Sequence, residues 1–142
     1  MTGKLWLLSA LALALTACAE RTEEEVVSNW TTDGTPKEVR VELGEGLGVE
    51  VQKFHENGRI QTRGTLLNGL RQGVWNTYRE DGLPWSRVTY KAGIKEGLFR
   101  TWHVDGKPHI EGQHTGGAPS GKWRFYSTEG DLVETQDFGA PK

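Results

Sequence analysis

The sequence predicts an all-β protein built of antiparallel β-hairpins stacked one on the next. Three observations carry this. Glycine supplies 19 of the 142 residues, well above its ordinary share, and six tryptophans accompany it. Gly34, Gly58, Gly82, Gly106 and Gly130 recur every 24 residues with no insertion. Trp30, Phe54, Tyr78, Trp102 and Tyr126 keep the same step ahead of those glycines, so each unit runs an aromatic strand into a glycine turn.

Composition excludes several classes. A hydrophobic fraction of 35% is too low for a polytopic membrane protein. The net charge of -2 gives no basic footprint for nucleic acid. A single cysteine rules out an internal disulfide framework and a thiolate-rich zinc site.

Residues 1–17 read as an address. Lys4 precedes Leu5 to Leu15, an uncharged run of eleven residues. As a helix it spans about 16 Å, half of a bilayer core, which suits a signal-peptide apolar region and not an anchor. Leu15-Thr16-Ala17-Cys18 resembles the bacterial lipoprotein lipobox at all four positions. The resemblance implies cleavage before Cys18, a diacylglycerol thioether on its sulfur and acylation of the new amino terminus. Two or three acyl chains anchor stably where one is marginal. Ala19, where aspartate would favour the inner membrane, points to the outer membrane facing the periplasm in a two-membrane host. Residues 18–26 form an acidic tether, without the polybasic character that binds anionic lipid.

The repeat domain occupies residues 27–142, in units near 27–50, 51–74, 75–98, 99–122 and 123–142. Val27, Val51, Trp75, Phe99 and Trp123 form a second column, and Leu66, Tyr90, His114 and Phe138 a third. Gly69, Gly93 and Gly117 recur in step, as do Gly73, Gly97 and Gly121. In each unit Gly73-Val74-Trp75-Asn76-Thr77-Tyr78-Arg79 or its equivalent forms a strand, and Glu80-Asp81-Gly82 a turn of the two-residue Asp-Gly kind. Ser86 to Tyr90 returns, and a second turn from Lys91 to Gly97 enters the next unit. Ten strands of five or six residues follow, with Pro84 and Pro108 at strand starts, where a missing donor is tolerated. The first unit departs. Glu45 and Val49 hold glycine positions and Glu42 a large apolar one, which predicts an irregular cap.

The pattern glycine, aromatic, two residues, aromatic, two residues, acidic or amide, glycine resembles the MORN repeat, in the variant found in antitoxin-like bacterial proteins. The resemblance covers residues 73–130 strongly, 50–72 well and 27–49 in register only. It implies an elongated, single-layer antiparallel sheet. Elementary physics agrees, because one hairpin cannot bury its own apolar face and stacking makes a continuous one.

Aromatics three apart on a regular strand point to opposite faces. Trp75, Phe99 and Trp123 are expected to pack on one, with Tyr78, Trp102 and Tyr126 on the other. Core packing in both columns is favoured over a ligand platform, since a structural need recurs in every unit. His55 and His103 lie two units apart, about 19 Å, too far to share a metal. His103 can meet His109 across a hairpin, with Asp105 nearby, as a weak two-histidine site at best. Ser120 sits in a turn, and Gly44-Glu45-Gly46-Leu47-Gly48 lacks the lysine and helix of a phosphate loop. Asp33, Asp81, Asp105 and Glu129 recur as turn formers. No catalytic set, metal site or cofactor is expected, and the chain is read as a non-enzyme.

Three functions remain, one of them an envelope scaffold with no discrete ligand. The first is a membrane-tethered protein-interaction module using Tyr78, Arg79, Trp85, Arg87, Arg100, Trp102 and Tyr126, residue types that dominate interface energetics. The antitoxin-like resemblance implies an immunity-like role. The alternative is binding of a cell-envelope glycan such as peptidoglycan along Tyr78, Trp102 and Tyr126, which requires those rings to be exposed. The last strand, near Phe138, is the sheet edge expected to be free to pair.

Overall fold

The computed structural model describes the backbone of residues 24–29 and all of residues 36–140. Those residues form one ten-stranded antiparallel sheet whose spatial order is the chain order. The strands are β1 (Glu24–Asn29), β2 (Pro36–Glu42), β3 (Val49–Phe54), β4 (Ile60–Leu67) and β5 (Leu70–Tyr78). The remainder are β6 (Pro84–Lys91), β7 (Ile94–Trp102), β8 (Pro108–Thr115), β9 (Ala118–Tyr126) and β10 (Leu132–Asp137). The fold is the all-β, single-layer stack of hairpins that the sequence predicts. Pro36, Pro84 and Pro108 each open a strand. Residues 1–23, with the leader and Cys18, lie outside the described residues, as do 30–35, with Trp30 and the first turn. Glu24 to Val26, assigned to the tether, already pair with β2.

Strands β4 to β9 run to eight or nine residues, longer than expected. The turns explain the difference. At one end of the sheet, Arg79 C=O accepts from Gly82 N–H and Arg79 N–H donates to Leu83 C=O, both at 2.9 Å. Glu80-Asp81-Gly82 is therefore a three-residue loop with Gly82 at φ +91°, a type I turn closed by a glycine bulge. The same bonds recur at His55–Arg59, His103–Lys107 and Ser127–Asp131. The extra residue on the return strand is Gln61, Trp85, His109 or Val133, where the register slips. Two-residue turns occur at the opposite end, at Asn68-Gly69, Ala92-Gly93 and Gly116-Gly117, where both residues have positive φ. The two-residue turn expected at Asp-Gly is thus at the wrong end of the hairpin, because a left-handed glycine serves both turn types.

Gly97, expected to end the second turn, lies inside β7, and Gly73 and Gly121 hold the same place inside β5 and β9. Between Val88↔Phe99 and Tyr90↔Lys95, β6 advances two residues while β7 advances four. The β4–β5 and β8–β9 pairs show the same two-against-four step. Gly73, Gly97 and Gly121, at φ +68°, +107° and +61°, absorb the surplus as a bulge. The first described hairpin has Val49 at this position, and a β-branched residue resists positive φ. There β2 and β3 pair without a slip, and the two surplus residues enlarge the turn to Leu43–Gly48. The irregular cap has this physical origin.

With no second layer, the aromatic face covers itself. Trp75 and Trp123 are buried, together with Val39 and Val51. Trp75 lies across Gly64 of the neighbouring strand and Trp123 across Gly112, so close that a Cβ on either glycine would sit 2.2 Å from the indole. Each indole Nε1–H donates at 3.1 Å to the carbonyl of the residue after that glycine, Thr65 or Gln113. In the intervening unit both partners change together: Phe99 pairs with Val88. Trp123 also stacks on Phe99 at 5.1 Å, two strands away, because Gly112 between them has no side chain. Phe138 turns back onto Trp123 at 5.9 Å, its N–H bonded to Gly121 C=O, while β10 ends the sheet with β9 as its one neighbour.

Two outcomes test this account in urea titrations. Ala92 holds φ +47° in a turn whose N–H donates to Gln72 Oε1, so Ala92→Asn keeps the bond and relieves strain. It should raise stability by about 0.5–1 kcal/mol. Gly112→Val alone should cost about 2 kcal/mol or more by overpacking. Combined with Trp123→Phe, which recreates the Val88–Phe99 pair, the loss should fall clearly below the sum of the two single changes. Additivity would refute the pairing.

Candidate functional site

Strand alternation and the pairing register sort the candidate residues onto two faces. Directly opposed residues form an unbroken row of Gln52, Arg63, Asn76, Arg87, Arg100, Glu111 and Arg124. Its side chains lie opposite the tryptophan face. Arg63 pairs with Glu50 and Arg100 with Glu111, both at 2.8 Å, and Arg87 Nε donates to Asn76 Oδ1 at 2.8 Å. Arg87 and Arg100 face each other directly across β6 and β7. Like charges in that position destabilise a sheet. Arg87, Arg100, Glu111, Lys122 and Arg124 line a shallow basin of about 370 Å³. Four arginines and one glutamate make the row cationic on a chain whose net charge is -2.

Tyr78, Trp102 and Tyr126 border this row, two residues beyond Asn76, Arg100 and Arg124 on the same strands. All three are half-buried. Tyr78 and Trp102 face the prolines that open the return strands. The Tyr126 hydroxyl donates to Glu111 Oε2 at 3.0 Å, and burial first, then that carboxylate, pushes its phenol pKa up. The Arg100 guanidinium lies 6.0 Å from the Trp102 ring centre.

Arg79 and Trp85 do not join them. Alternation from Trp75 and Thr77 sends Arg79 to the aromatic face. Trp85, as the extra residue of the bulge, turns to meet it with its ring 5.8 Å from the guanidinium. One inserted residue reverses the phase that the sequence suggests for Trp85. The seven candidates therefore form two surfaces.

His55, Arg79 and His103 share a role that sequence reasoning missed. Each reaches the next unit and bonds the backbone carbonyl of its aromatic: His55 Nε2 to Tyr78 O at 3.0 Å, Arg79 Nη2 to Trp102 O at 3.1 Å, His103 Nε2 to Tyr126 O at 2.9 Å. A carbonyl only accepts, so both Nε2 atoms carry the proton. The 24-residue step of the three positions was the available signal. His103 does meet His109, ring centres 4.3 Å apart. Among the described residues, no group of three or more histidine, cysteine or acidic side chains is placed to hold a metal ion. Two of the turn carboxylates cap their turns; at Glu129 the Ser127 hydroxyl accepts the Asp131 N–H instead, and Asp33 lies outside the described residues. Asp81 Oδ1 accepts Leu83 N–H and Asp105 Oδ1 accepts Lys107 N–H, the bond that chiefly lowers the Asp105 pKa.

His114, the odd member of its column, is buried edge-on between Phe99 and Trp123, and its Nδ1 has no partner. Burial first, then Lys95, lowers its pKa from 6.5. The folded protein resists protonation of this ring more than the unfolded chain does, so stability declines as pH falls through and below about 6.5. His109, lowered by burial and His103, acts in the same sense. His114→Phe, matching Phe138 in its column, should flatten the fall in urea midpoint between pH 7 and pH 5. An unchanged slope would show that His114 does not carry it.

No known protein family, curated protein or solved structure matches the chain.

Proposed function

We propose that this protein is a lipoprotein, held in the cell envelope through Cys18, whose MORN-like sheet is a protein-interaction module working through its arginine face. The observation that carries the reading is the Arg87–Arg100 pair. Arg87 and Arg100 stand directly opposite each other in the register, their guanidiniums bonded outward to Asn76 and Glu111, and an acidic partner surface complements this paired positive charge. Tyr78, Trp102 and Tyr126 border the row and supply the aromatic area that interfaces use. The lipobox-like sequence followed by Ala19 supports a position at the outer membrane facing the periplasm in a two-membrane host, where an immunity-like role against an incoming protein fits both the anchor and the antitoxin-like resemblance. The same aromatic column favours a protein over a glycan ladder, because its rings are half-buried and engaged with prolines, Glu111 and Arg100.

In-cell crosslinking followed by pull-down tests this, using the lipidated protein beside an exported Cys18→Ala form. One protein should be recovered in stoichiometric amount by both. Arg87→Glu converts the like-charge pair into an attractive one, so the fold is retained while recovery drops about tenfold. Recovery of cell-wall fragments with no dominant protein, or full recovery by Arg87→Glu, would overturn the reading.

A further inference from the structure

The repeat distinguishes side chains the fold demands from those it leaves free. The extra residue of the hairpin bulge is Gln61, Trp85, His109 and Val133 in successive units, so the backbone there accepts any side chain. Trp85 is nevertheless a tryptophan and stays 54% exposed. It forms one wall of a groove of about 480 Å³ that opens on the aromatic face, with His55, Thr62, Thr77, Tyr78 and Arg79 and with Gln61 at its side. Thr62 and Thr77 stand directly opposite each other on β4 and β5.

Three side-chain polar atoms among the described residues are buried without a partner: Arg79 Nε, Thr101 Oγ1 and His114 Nδ1. One of them, Arg79, lines the groove, its Nη2 already fixed on Trp102 O. Unpaired buried donors are rare enough in folded proteins to need a reason.

We infer that this groove is a binding site for a saccharide bearing a carboxylate. An open indole offers a flat apolar wall for the C–H face of a pyranose ring. The threonine hydroxyls and the Gln61 amide can each donate and accept, matching sugar hydroxyls. The Arg79 guanidinium, which lines the groove and is held at its far end on Trp102 O, takes the carboxylate. Glu80 on the rim opposes a dianion, which disfavours a phosphate and leaves a singly charged, hydroxyl-rich ligand. The site lies on the face opposite the Arg87 row and shares with the border of that row only Tyr78.

The test is calorimetric titration of the Cys18→Ala protein with a trisaccharide ending in glucuronic acid and with its neutral glucose counterpart, with NMR observation of the Trp85 indole N–H. The repeat supplies variants its own backbone accepts: Trp85→Gln, as at Gln61, and Arg79→His, as at His55 and His103. The acidic trisaccharide should bind and shift the Trp85 signal, with the neutral one about tenfold weaker. Trp85→Gln should weaken both about tenfold. Arg79→His should leave neutral binding and the urea midpoint near wild type while abolishing the preference for the acid. Absence of binding, unchanged binding by Trp85→Gln, or an equal Trp85 shift with acetate alone would each overturn the inference, and none would bear on the arginine face.

Discussion

Everything in this fold follows from the lack of a second layer. A sheet with nothing packed on it must bury its apolar side chains against its own neighbouring strands. That becomes possible where a large ring meets a residue with no side chain. Trp75 over Gly64 and Trp123 over Gly112 meet this need, each with its polar edge bonded to a backbone carbonyl. The indole thereby excludes water from strand backbone without leaving its N–H unpaired. Where the facing residue is Val88, the ring shrinks to Phe99. Width is conserved along the row although neither partner is.

The same constraint shapes the backbone. No second layer clamps neighbouring strands together, so the hairpin ends are tied to the following unit. At one end His55, Arg79 and His103 reach carbonyls of the next unit, and Asn57 and Lys107 do likewise from the turns. At the other, Gly93 and Gly117 N–H donate to Arg71 and Lys95 carbonyls, while Gln72 and Glu96 accept from Ala92 and Gly116. Each bond contributes modestly. Repeated in register, they join the hairpins into one sheet, as nearest-neighbour coupling does in other repeat architectures.

The period, the hairpins and the positions of the turns were legible in the chain because glycine at positive φ is dictated by local sterics. What stayed hidden depended on counting residues across strands. Gly82 and Gly93 look alike in sequence, yet one closes a three-residue loop and the other a two-residue turn. Gly97 looks like a turn residue and is a bulge inside β7. Trp85 sits one residue before Ser86 and Arg87, and only the register slip shows that it turns away from the Arg87 surface. The arginine row was hidden differently. Its members alternate between 11 and 13 residues apart, a spacing that a search for a single period passes over.

Regularity also indicates where function can reside. Columns that vary together, such as Gly64, Val88 and Gly112 against Trp75, Phe99 and Trp123, are held by packing, and a change in one without the other breaks the sheet. The bulge column is different: glutamine, tryptophan, histidine and valine occupy one backbone position in turn with the hairpin geometry unchanged. The arginine row is intermediate, since Asn76, Arg87 and Glu111 alter its charge without altering its register. Such a scaffold separates fold from recognition strand by strand. The exposed indole at Trp85 and the opposed guanidiniums at Arg87 and Arg100 are departures the sheet tolerates but does not require, so their explanation must come from what each face meets.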